Sequence, residues 1–132
     1  MAYKQNVIPE MVGQDVSLPC ASDLSASQYK FVKFSSGKII ECSADDTPLG
    51  ILQNKPVGTA TKDEIAIVRC FGFSKLVIGS GGGSAGDYLI VTTAGSGLVS
   101  TTDHKKLGAQ LLQDAAASDV AAVMIVKGFI SL

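Results

Sequence analysis

Proton transfer or nucleophilic attack needs a base and a group that orients it. The only histidine of the 132 residues, His104, stands in the polar run 101–106 beside Lys105 and Lys106. There is no second histidine to complete a triad or a zinc site, and a loop residue without a catalytic role is the commoner reading. Asp45, Asp46, Asp63 and Glu64 could meet across a turn as an acid/base pair, although solvated turn acids are far commoner. The glycine-rich run 79–86 offers bare amides that could cradle a phosphate. It leads into Asp87, Tyr88 and an apolar alternation rather than a helix opening with Lys and Ser or Thr, so the phosphate-loop and dinucleotide readings both fail. Cys20, Cys42 and Cys70 are odd in number, have no Cys-x-x-Cys spacing and lie among apolar or small neighbours, which reads as buried, reduced thiols. No catalytic, cofactor-binding or metal-ligating residue is assigned, and no enzymatic activity is expected.

The elements that would position any site are short and β-like. Hydrophobic residues make up 46% of the chain and charged residues 17%, enough apolar material for one domain's core. A net charge of -1, with 11 basic residues spread over the whole length, gives no field to hold nucleic acid. The start lacks a cationic, then apolar, secretory pattern, and no run approaches about 18 apolar residues. Synthesis in a cytoplasm and no membrane partner are therefore expected. Residues 1–22, with Pro9, Gly13 and Pro19 and no sustained period, read as an extended N-terminal arm; residues 23–132 read as a single β domain. Strands are predicted over 29–34, 38–42, 49–54, 64–71, 73–78, 87–93 and 120–126, with Ser36-Gly37 and Gly95-Ser96-Gly97 as turns.

The chain also resembles itself at an offset of about 59 residues. Ala26, Tyr29 and Val32 fall on Ala85, Tyr88 and Val91; the turn at Gly37 falls on that ending at Gly97; Leu49, Gly50 and Leu52 fall on Leu107, Gly108 and Leu111; and Glu64, Ile65, Ala66 and Val68 fall on Asp119, Val120, Ala121 and Val123. The pseudo-repeats run over about 26–71 and 85–126. Leu107, Leu111, Leu112 and Ala115 could also line a helix, and the repeat decides for β. The fold class expected is all-β, a compact barrel or sandwich of two pseudo-repeated lobes with an extended N-terminal arm, the stretch 73–78 joining the lobes.

Between Ile65 and Asp103 the only charged residues are Arg69, Lys75, Asp87 and Asp103. So sparse a charge points to a surface that is partly covered, and Phe71, Phe73 and Leu76 are the candidate contacts there. In the arm, Val7, Ile8, Met11, Val12 and Leu18 are the candidate anchors, able to add backbone pairing at an exposed edge.

Ser25, Gln28, Tyr29, Phe31 and Val32, Gly37-Lys38-Ile39, the stretch from Pro48 to Pro56, Val68-Arg69, Gly72-Phe73-Ser74-Lys75 and Ala85-Gly86-Asp87 resemble a family of short tailed-phage proteins, once catalogued only as a domain of unknown function and similar to head-decoration or cement proteins. The resemblance spans roughly residues 23–126. It implies a β-rich fold, attachment to the outer surface of the virion capsid with the major capsid protein as partner, a homo-oligomer (a trimer before a dimer), no cofactor and no enzymatic activity. The competing expectation is a carbohydrate- or ligand-binding β module of a head fibre or tail, which the absence of Trp and a count of three Tyr weigh against.

Overall fold

A computed structural model of the protein describes residues 13–131 apart from residue 60. The described chain is all-β, with no α-helix and a single 3-10 turn at Thr93–Gly95. Its strands are β1 (Gly13–Cys20), β2 (Phe31–Ser35), β3 (Lys38–Glu41), β4 (Gly50–Leu52), β5 (Glu64–Val77), β6 (Tyr88–Val91), β7 (Gly97–Val99), β8 (Lys106–Leu111) and β9 (Val120–Phe129). Alternation explains β5 directly: Ala66, Val68 and Cys70 turn inward and are buried, while Ile65, Ile67 and Phe71 turn outward. Ser36 and Gly37, both at positive φ, form the two-residue turn that pairs Ser35 with Lys38. The segment that was ambiguous with a helix is β8, paired to both β6 and β9.

The strands form one curled antiparallel sheet, a half-barrel in the order β3-β2-β4-β5-β9-β8-β6-β7, with β1 added to β5. One pairing scheme occurs twice. In the first half β1 pairs with the start of β5, β5 with β4, β4 with β2, and β2 with β3. In the second, the end of β5 pairs with β9, β9 with β8, β8 with β6, and β6 with β7. Thus β5 is the last strand of one half and the first of the next. Segments 64–71 and 73–78, expected as separate strands, are one element passing through Gly72 at φ +96, a conformation in which a Cβ would be strained.

The pairings also correct the register of the repeat. Val32 stands opposite Gly50 and Glu41 as Leu89 stands opposite Ala109 and Val99, so the counterpart of Val32 is Leu89 rather than Val91. That of Phe31 is Tyr88. Leu52 and Leu111 do correspond, as do Val68 and Val123. Gly50 falls on Ala109 rather than Gly108, because Gly50 stands opposite Val32 and Ala109 opposite Leu89; the irregularity beside it in the β8–β9 ladder puts its extra residue on β9, where Ile125 to Gly128 spans the two steps from Ala109 to Leu107.

The expectation of an arm over residues 1–22 is corrected for its second part. Gly13–Cys20 is a full strand along β5, and its Cys20 lies in the core of the first half with Leu24, Val32, Ile39, Leu52, Ala66 and Val68. Val16, Leu18 and Cys20 alternate along β1, but Pro19 interrupts the pattern that would announce a strand; the register shift at Gln14 and Asp15 puts its extra residue, Cys70, on β5. A second core gathers Leu76, Ile78, Leu89, Leu111 and Val123 of the second half, and it also takes in Phe31, Cys42 and Ile51 from the first.

Cys20, Cys42 and Cys70 are buried free thiols. Burial pushes all three up, Cys42 to about 12. A raised folded value means stability that is whole below the unfolded thiol's value and is lost as pH rises through the window toward about 12, where only the unfolded chain releases the proton. The melting temperature is therefore expected to fall with pH from 9.0 upward, and to fall less steeply in Cys42→Ala; parallel slopes in the two proteins would refute a buried, protonated thiol.

Candidate docking surface

The residues that could have carried chemistry are held apart. Asp46 accepts from Lys33 at 2.7 Å and from the Ser43 amide at 2.7 Å, and the lysine holds its carboxyl below the usual carboxylate range. Asp45 pairs with Lys105 at 2.9 Å, Asp63 with Lys38 at 3.0 Å, and Glu64 accepts the Val57 amide at 2.7 Å. Each acid serves a different turn or cation. His104 lies at φ +65 with an exposed ring, its Nδ1 2.9 Å from the Asp103 carboxylate. In the glycine-rich run, the Ser84 amide donates to Asp87 and the Ala85 amide to Asp114, both at 2.9 Å, while Gly83 and Ala115 exchange backbone bonds. The Ser84 and Ala85 amides are thus bonded to the chain's own carboxylates, and those of Gly79, Gly82, Gly83 and Gly86 to its carbonyls, instead of turning toward a phosphate.

The surface that stands out is the outward face of β5 with its neighbour β1. Ile65 is 52% exposed and Phe71 60% exposed, with Ile67 between them, an apolar stripe about 20 Å long at 3.3 Å per residue. Pro19 and Ser17 of β1 stand opposite Ile65 and Ile67 and add no charge. The one charge in the stripe, Arg69, is neutralised: its guanidinium holds both oxygens of Asp15 at 2.7 and 3.1 Å and donates to the Phe73 carbonyl at 3.1 Å. On the other side the Asn54 side chain takes the place of a strand, donating to the Ile65 carbonyl and accepting from the Ile67 amide, both at 2.9 Å. With its backbone pairing completed and its charge cancelled, the stripe offers apolar contact and little else. Lys127 lies over the Phe71 ring at 5.2 Å and donates to the Leu49 carbonyl, tying the end of the stripe to the second half.

Of the contact residues read from the sequence, Phe71 is on this face, and Phe73, half-buried, lines a shallow depression with Gly13, Gln14, Phe71 and Gly72. Leu76 is corrected: it is fully buried in the second core and has no surface to offer. Leu18 is corrected too, since it stands opposite Ala66 and packs against the first core. Val7, Ile8, Met11 and Val12 lie outside the described residues. Ile65 and Ile67 were missed, because apolar alternation does not tell the buried member of a strand from the exposed one. The repeat could have marked Ile67, whose counterpart is Ala122, since the fold does not require a large side chain there; it could not have marked Ile65, whose counterpart is Val120.

No known family matches the chain, and no curated protein does. Among solved structures it is similar to the crystal structure of the N base of head fibre gp8.5 of bacteriophage phi29, with a TM-score of 0.71 and 14% sequence identity, covering 90% of this chain and 100% of that one. At that identity the likeness establishes a shared fold, the doubled β architecture described above.

Proposed function

We propose that the chain is a non-enzymatic structural component of a tailed-phage head, docked on the outside of the shell through the β1–β5 face, with the major capsid protein as partner. The observation that carries this reading is the match to the whole of the phi29 head-fibre base, a protein of a phage head. The resemblance to decoration proteins points the same way, and so does an exposed apolar stripe whose only charge is neutralised. The role needs only surface and repetition: a protein clamped across subunit junctions adds contacts that must break before the lattice opens, and several weak contacts made at once raise the overall affinity by about 10²–10⁴. A second reading, a fibre base that carries a ligand-binding module, is favoured by the same likeness. Copy number per particle separates the two, many for a decoration protein and few for a fibre base.

The test is addition of purified protein to phage heads that lack it, followed by sedimentation. Saturable co-sedimentation that weakens little at high salt is expected, because Arg69 is already paired with Asp15 and the stripe is apolar apart from Lys127 over Phe71. Protein left wholly in the supernatant would sink the reading.

A further inference from the structure

The two halves do not meet symmetrically, and the asymmetry carries an inference independent of the head reading. Phe31 and Ile51, with Cys42 beside them, sit on the outer face of the first half and are buried in the core of the second. The Phe31 ring lies where a Cβ on Gly108 would come within 2.5 Å, the Phe31 carbonyl lies against Gly95, and the Asp45 amide donates to the Val91 carbonyl at 3.1 Å. The pairings identify the same face on the second half. Phe31 stands opposite Ile51 as Tyr88 stands opposite Gln110, and the Cys42 amide bonds the Phe31 carbonyl as the Ser100 amide bonds that of Tyr88. Among the described residues nothing buries this second face: Tyr88 is 45% exposed where Phe31 is 0%.

The receiving end is duplicated as well. Val91, in the buried cluster with Phe31, has Phe34 as its counterpart, two residues beyond the Val32–Leu89 match. Phe34 is 51% exposed, and Val16 is exposed on β1, which lies against β3, the strand paired with Phe34. Leu49, the counterpart of Gly108, is half-buried against the first core. The first half therefore keeps an open apolar end of the kind that Phe31 closes in the second, and the second keeps an uncovered aromatic face of the kind that does the closing. A face of one unit laid on the opposite end of the next is a heterologous contact, which can repeat from molecule to molecule.

We propose that a second copy of this chain lays its Tyr88–Gln110 face on the Phe34–Val16 end of the first, repeating between molecules the joint that Phe31 makes within one. Leu49 fills part of the space that Gly108 leaves open, so the joint between molecules is shallower than the internal one. Ser100 and Gln110 in place of Cys42 and Ile51 suit a face that must also meet water in the free chain.

The experiment uses the full chain in solution. Wild-type protein is expected to reach a mass of several chains as its concentration rises. Tyr88→Asp and Phe34→Asp each alter a side chain about half exposed, so both keep the wild-type melt, and each is expected to be monomeric because one end of the joint is blocked. Mixed, Y88D supplies an intact Phe34 end and F34D an intact Tyr88 face, so a two-chain species forms and nothing larger. A wild type that stays monomeric at every concentration, single variants that assemble like the wild type, or mixed variants that stay apart would each overturn the proposal. Deletion of residues 2–12 tests the other occupant of the Phe34 end: assembly lost with that deletion but kept in Y88D would assign the end to that segment and overturn the proposal. No arm reads head binding, so a failure here leaves the head reading standing.

Discussion

Phe31→Ala is expected to lower the stability of the folded chain by about 3–5 kcal/mol, the usual cost of emptying a phenylalanine site in a core that cannot collapse around it. The side chain is wholly buried and belongs to the core of the second half, although its strand belongs to the first. Removing it opens both halves at once. Against a total of about 5–15 kcal/mol for a domain of this kind, the loss is a large fraction, read as a fall of about 10–20 °C in melting temperature. A fall of only a few degrees would mean that the two halves do not depend on this joint.

A double-mutant cycle separates the joint from simple loss of apolar area. Gly108 is not at positive φ, so Gly108→Ala brings no backbone strain; its cost comes from a Cβ placed 2.5–2.8 Å from atoms of the Phe31 ring. That cost should vanish once the ring is gone. The two changes together are therefore expected to destabilise by clearly less than the sum of each alone, as contacting residues do, whereas additive effects would show that the ring and the glycine do not meet.

This joint marks how far the residues could be read without coordinates. The β class, the turn at Ser36-Gly37, and the correspondence of Val68 with Val123 all follow from alternation and self-similarity, which are local signals. Tyr29 was placed in a strand but sits at φ +63, and the offset drawn from its match to Tyr88 was two residues too long. One tyrosine had been matched to another, whereas pairing sets Phe31 against Tyr88, a buried side chain against an exposed one. Chemical likeness misled there because the two halves use the same position for opposite purposes. β1 reads as an arm for a related reason: its partner lies about 50 residues away on β5, and Pro19 masks the short alternation of Val16, Leu18 and Cys20. In the docking face, Phe71 could be read from its sparse-charge surroundings, but Leu76, five residues on along the same strand, faces inward. Gly72 marks where the strand passes from one half to the other, but which residues pack on each side of it is not encoded locally.

The docking face gives the other large expected effect. Ile65→Ser, Ile67→Ser and Phe71→Ser combined should leave the melt almost unchanged, since all three side chains are already exposed and surface changes away from special features stay within about 0.5 kcal/mol each. On heads the outcome should be different. Ile65 and Phe71 have half or more of their surface left to bury and Ile67 about a third, about 1 kcal/mol apiece, so the triple variant should bind about a hundredfold more weakly at one site. When several sites engage one particle the deficit compounds, and occupancy should drop below detection at concentrations that saturate the wild type. Phe129→Ser serves as the comparison, because it removes an equally exposed aromatic, 64% exposed, from the far end of β9, outside the stripe. Its binding should equal the wild type's if the position of the apolar area matters and not its amount. Equal loss in both variants would mean that heads capture any apolar surface. Full binding by the triple variant alone would move the contact off β5, and the neutralised pair Arg69–Asp15 would then be only a clamp between two strands of the fold.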